Sequence, residues 1–127
     1  MLTFEQFEDY LFEAAEQIPK EYYTELNGGI MAREECKIHP DSRGEELCIM
    51  GQYCRNHNLG RYIVLYYGSF VHQYSGMPDG YWKSEIKKVL EHELTHHLES
   101  LAGEKDLEID DKIQLMQYLQ RPDKKAD

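Results

Sequence analysis

The sequence predicts an α+β domain, and three observations carry that prediction. An amphipathic helix pattern opens the chain, β-rich stretches fill its middle, and two helical patterns close it. Helices and strands segregated in this way build α+β rather than alternating α/β folds. The 127 residues suit one compact domain and contain no internal repeat. We therefore read residues 1–127 as a single domain with 119–127 as a tail.

The first helix is expected over residues 3–18. Thr3 and Gln6 have capping-box spacing, Phe4, Phe7, Leu11, Ala15 and Ile18 recur at helical intervals, and Pro19 marks the end. A short strand is expected within 27–34, after the turn Asn27-Gly28-Gly29, and residues 37–46 read as a polar loop. Leu47 to Tyr53 is a second strand candidate. Arg61 to Phe70, rich in β-branched and aromatic residues, is the strongest. Residues 75–80 form a turn-rich connector. A long helix is expected from Trp82 to about Ala102, ended by Gly103 as a left-handed cap, with a last helix from about Asp106 to Leu119.

The formal net charge is −10, and the basic residues are scattered. That balance argues against nucleic acid or an anionic membrane as partner, since both are bound by clustered Lys and Arg. The longest apolar runs fall far short of the ~20 residues that span a bilayer. The N-terminus carries no basic, apolar, then small-residue signal pattern, so a cytoplasmic protein is expected. Cys36, Cys48 and Cys54 form no Cys-x-x-Cys pair and read as reduced, partly buried thiols.

Chemistry concentrates in His92-Glu93-Leu94-Thr95-His96. On a helix, His92 and His96 point the same way one turn apart, and two imidazoles so placed can clasp one Zn²⁺ at about 2.0–2.1 Å each. Glu93 lies about 100° around the helix. It is placed to take a proton from a metal-bound water that then attacks a peptide carbonyl. With His92 at zero, Val89, His96 and Glu99 fall within about 60°, while Leu90, Leu94, Leu98 and Leu101 occupy the opposite arc near 200°. His97, at about 140°, falls on the apolar side and reads as a hydrogen-bonded core histidine. His39, His57 and His72 are isolated and read as surface or loop residues.

A catalytic zinc takes three protein ligands and one water. Glu99 shares the histidine face but lies about 10.5 Å along the axis from His92, which makes a poor tetrahedron. A carboxylate returning from the last helix does better. Asp111 leads, because Leu107, Leu115 and Tyr118 place it within an apolar stripe where an unpaired carboxylate would be costly. Glu99, Asp110 and Asp106 remain alternatives.

The stretches His92-Glu93-Leu94-Thr95-His96-His97-Leu98 and Ile109-Asp110-Asp111 resemble a family of minimal zincin-like metallopeptidases. The likeness extends to Phe4-Glu5-Gln6-Phe7, to residues 15–21, to Met50-Gly51-Gln52-Tyr53 and to residues 63–68, so roughly 3–119 is covered. The resemblance implies a zinc-dependent hydrolase of peptide bonds. His92 and His96 would hold zinc, Glu93 would be the base, and the family's third ligand matches Asp111. It also implies a small sheet whose edge strand borders the cleft. The stretch 99–107 lengthens the connection after the histidines relative to the family pattern. The expected partner is a peptide or protein substrate. Two other readings stay open: a metal-binding or protein-interaction domain without turnover, and a closed structural zinc site using both Glu99 and Asp111. Tyr66, Tyr67 and Tyr118 are oxyanion-stabilising candidates by residue type.

Overall fold

The computed structural model describes residues 1–44 and 47–104. Helix α1 spans Phe4–Glu16 and begins with the expected capping box. Thr3 Oγ1 accepts the Gln6 N–H at 3.1 Å, and Gln6 Oε1 accepts the Thr3 N–H at 2.9 Å, satisfying donors that have no partner within the helix. After Pro19 a single 3₁₀ turn, Lys20–Tyr23, leads into the sheet.

Among the described residues five strands follow: β1 (Gly29–Arg33), β2 (Lys37–Ile38), β3 (Cys48–Ile49), β4 (Gly51–Asn56) and β5 (Gly60–Tyr66). β5 is central in a three-stranded sheet of order β1-β5-β4, parallel to β1 and antiparallel to β4. Ile63, Val64, Leu65 and Tyr66 are all buried, the continuous apolar run expected of a strand covered on both faces. β2 and β3 form a separate antiparallel pair. Helices α2 (Tyr67–Tyr74) and α3 (Asp79–Glu104) complete the described chain. The architecture is α+β with a small mixed sheet.

Four expectations need correction. The run Arg61 to Phe70 is not one strand: β5 stops at Tyr66 and α2 begins at once. Apolar runs report burial, which strand and helix share. The switch comes where Gly68 passes against the backbone of residues 34–36. Its N–H donates to the Glu35 carbonyl at 3.1 Å, and a Cβ there would lie 2.5 Å from Cys36 N. The stretch Leu47 to Tyr53 is two strands, divided at Met50, whose carbonyl accepts the Tyr66 N–H at 3.0 Å. The polar loop 37–46 contains β2. Gly103 is not a left-handed cap, for α3 runs through it to Glu104. The helix expected from Asp106 to Leu119 lies outside the described residues.

The core lies between α1, α3 and the sheet. Phe7 meets Tyr67, Phe70 and Trp82 edge-on, with centroids 5.4, 5.0 and 6.3 Å away, geometry that aromatic quadrupoles favour. Trp82 Nε1 donates to the Tyr74 carbonyl at 2.9 Å, tying α3 to the end of α2. Leu90, Leu94, Leu98 and Leu101 are completely buried, as the helical wheel requires. Among the described residues, no helix is long and apolar enough to cross a membrane.

Candidate metal centre

α3 carries the histidine motif as a continuous helix whose leucine face is sealed against the core. That anchoring turns His92 and His96 outward together. Both side chains are exposed, and their Nε2 atoms stand 3.1 Å apart. Two nitrogens bound to one tetrahedral zinc at about 2.0–2.1 Å would be separated by about 3.3 Å. The separation of the two nitrogens is therefore close to that of a shared metal, and without one it is also a hydrogen-bond distance between the rings. His92 is harder to protonate than an ordinary histidine, because of partial burial and then the neighbouring His96. That shift favours the neutral imidazole that a metal needs.

The two nitrogens of His96 face different partners. Nε2 faces His92, while Nδ1 lies 3.4 Å from Glu99 Oε1. A carboxylate beside the outer ring nitrogen favours a proton there, which would leave the other nitrogen to coordinate. Glu99 is thus positioned to orient His96.

Glu93 sits one residue further around α3 and is only 8% exposed. Burial raises its carboxyl from 4.5 to about 7, against the smaller opposing effects of His96 and a hydrogen bond from the Tyr53 backbone N–H. The cleft beside it has a volume of about 530 Å³ and is lined by Gly51, Gln52 and Tyr53 of β4 and by Glu93, His96 and Glu99 of α3, together with Ser100. β4 is an edge strand of the described three-stranded sheet. It lies close against the helix because Gly51 has no side chain: a Cβ there would fall 2.7 Å from Val89 Cγ1. A larger groove of about 790 Å³ runs between α1, the 3₁₀ turn and β1, and among the described residues neither His nor Cys lines it.

His97 is fully buried, as expected, and its hydrogen bonds define its tautomer. Nε2 lies 2.7 Å from the Thr24 carbonyl, which can only accept, so Nε2 carries the proton. Nδ1 then accepts from the Tyr53 hydroxyl at 2.9 Å, and that hydroxyl accepts from Arg61 Nη1, also at 2.9 Å. Arg61 Nη1 in addition reaches Ser100 Oγ at 2.6 Å. Burial makes His97 harder to protonate than an ordinary histidine; the Thr24 hydrogen bond opposes that shift, Arg61 adds to it and Glu25 opposes it. The last histidine of the motif thus holds Tyr53, and the Tyr53 backbone holds Glu93. Sequence reasoning found Tyr53 only as a strand marker and missed Arg61 and Ser100, since no local spacing links residues 53, 61, 97 and 100.

This network yields a stability prediction. Tyr53→Phe should destabilise the protein by about 1–3 kcal/mol, because Nδ1 of His97 loses its donor and Arg61 loses an acceptor in a desolvated site. Chemical denaturation of the two proteins measures the difference. An unchanged midpoint would show that the network contributes nothing.

The remaining candidates are spread differently. Asp111, Asp110 and Asp106 lie outside the described residues. Among the described residues no group of three or more His, Cys, Asp or Glu is placed to hold a metal. His39 is half-buried beside Asp41, while His57 and His72 are exposed. Tyr67 reaches away from the histidines to the Leu2 carbonyl, and the Tyr66 hydroxyl donates to Gln52 Oε1 at 2.7 Å. Tyr118 lies outside the described residues.

Among solved structures the chain is similar to a conserved hypothetical protein from Thermo thermophilus, with 33% identity and a TM-score of 0.70 over 81% of this chain and 100% of that one. The chain belongs to that protein's family. The relative's name assigns no activity. No family model matches the chain, and no curated protein matches it.

Proposed function

We propose that this protein is a zinc-dependent peptidase-like hydrolase, with His92 and His96 as two metal ligands and Glu93 as general base. The observation that carries this reading is the 3.1 Å separation of two outward-facing imidazole nitrogens beside a buried carboxyl. The donor set suits zinc, which takes imidazole and carboxylate and keeps one position open in catalytic sites. When bound, zinc lowers the pKa of a coordinated water and polarises a carbonyl.

The chain's own residues supply the rest. His92 and His96 would hold the ion, with Glu99 fixing the His96 ring through Nδ1. Glu93 accepts the water proton at its carboxylate. A carboxyl raised to about 7 by burial is a stronger base than an ordinary glutamate and is matched to neutral pH. The Tyr53 backbone N–H keeps that carboxylate oriented. Gly51, Gln52 and Tyr53 of the edge strand border the cleft, a position from which an extended peptide can be aligned by main-chain hydrogen bonds. We place the protein in the cytoplasm, with a peptide or protein as substrate.

Asp111 is the proposed third ligand, with Glu99 in a supporting role. Asp111→Asn removes the ligand charge and should cut zinc affinity sharply. It should also shrink the thermal stabilisation by added zinc, which follows RT ln(1 + [L]/Kd). Glu99→Gln should be milder, within the roughly 10–100-fold range of an outer partner of a liganding histidine. Zinc titration of both variants checks the ranking. Metal loss in Glu99→Gln with none in Asp111→Asn would put all the ligands on α3 and exclude Asp111.

A further inference from the structure

Two of the three cysteines, Cys36 and Cys48, form a second cluster apart from His92 and His96. Cys36 lies between β1 and β2, and Cys48 opens β3. The register Lys37–Ile49 and Ile38–Cys48 puts residues 36, 38 and 48 on one face of the two-stranded pair. There Cys36 Sγ and Cys48 Sγ approach to 3.7 Å, although the residues are 12 apart in sequence. Cys36 is exposed and Cys48 half-buried. Ser69, fully buried on α2, accepts the Lys37 N–H at 2.9 Å and points its hydroxyl at Cys36 Sγ, 4.0 Å away. Cys36 thus joins solvent access to a nearby donor, and its neighbour is a second thiol. Cys54 lies elsewhere, opposite Tyr62 of β5 in the three-stranded sheet.

We propose that Cys36 and Cys48 are a redox pair that closes to an intramolecular disulfide when the protein meets a two-electron oxidant of the peroxide class. The Cys36 thiolate attacks one peroxide oxygen, the O–O bond breaks, and hydroxide leaves to become water. Cys36 is then a sulfenic acid. The Cys48 thiolate attacks Cys36 Sγ, the S–S bond forms, the S–O bond breaks, and a second hydroxide leaves as water. Two thiols are oxidised and one peroxide is reduced to two waters. On bond formation the sulfurs would close from 3.7 Å to the roughly 2.05 Å of a disulfide. The bond would tie the segment between β1 and β2 to the start of β3. A dithiol reductant reverses it by exchange.

The test treats the reduced full-length protein with one equivalent of hydrogen peroxide. Its mass should fall by about 2 Da, and the thiol titre should drop from three to one. Trypsin cleaves after Arg33, Lys37, Arg43 and Arg55, so fragments 34–37 and 44–55 should emerge joined and part on reduction. Cys54 shares fragment 44–55, so Cys54→Ser must retain the link and Cys48→Ser must lose it. Should Cys48→Ser not fold, the link in Cys54→Ser alone identifies Cys48 as the partner. A link that survives Cys48→Ser would overturn the proposal. So would Cys36 oxidised beyond the sulfenic acid while Cys48 remains a thiol, or links formed only between chains.

Discussion

Replacing His92 or His96 by alanine is expected to abolish stoichiometric zinc binding while leaving the fold intact. The two rings are exposed on α3, and their Nε2 atoms are 3.1 Å apart. Exposed substitutions away from special features usually change stability by less than about 0.5 kcal/mol. The leucines that seat the helix are untouched. Zinc affinity is another matter, since removing a liganding nitrogen should exceed the roughly 10–100-fold loss that follows removal of an outer-shell partner. Elemental analysis of dialysed protein should give one zinc per chain for the native sequence and none for either variant. Equal zinc content in all three would place the metal elsewhere or remove it from the account.

The second large effect concerns Glu93→Gln. Glutamine keeps the shape and still accepts from the Tyr53 N–H through its amide oxygen, but it cannot take a proton from water. Burial already disfavours the charged form of Glu93, so a neutral replacement should fold at least as well. Zinc should remain bound while turnover of a peptide substrate falls by roughly 10²–10⁴-fold, the usual contribution of general acid–base catalysis. Steady-state kinetics on zinc-loaded protein measures this. A native protein and a Glu93→Gln variant that are equally silent across a broad peptide library would favour a metal-binding domain without turnover.

Legibility in the sequence followed the range of the interactions. The face of α3 that enters the core was readable because leucines at residues 90, 94, 98 and 101 repeat with the helical period. The burial of His97 followed from the same wheel. The α1 cap was readable because Thr3 and Gln6 act across one turn. α2 was not, because the apolar run through Phe70 does not distinguish a buried strand from a buried helix. What ends β5 is the close passage of Gly68 beside residues 34–36, a contact between distant parts of the chain. The same holds at the site. His92, Glu93 and His96 announce themselves by spacing, whereas Tyr53, Arg61 and Ser100 meet His97 only because β4 and β5 pack on α3. The contact between Cys36 and Cys48 arises from a strand register that two-residue strands do not advertise.

A crystal structure of zinc-loaded full-length protein, with anomalous differences measured at the zinc edge, would locate the metal and its ligands. One peak should lie about 2.0–2.1 Å from Nε2 of both His92 and His96, with a carboxylate oxygen and a water completing the shell. No peak there, or a peak elsewhere with the two rings still in contact with each other, would contradict the proposed metal centre.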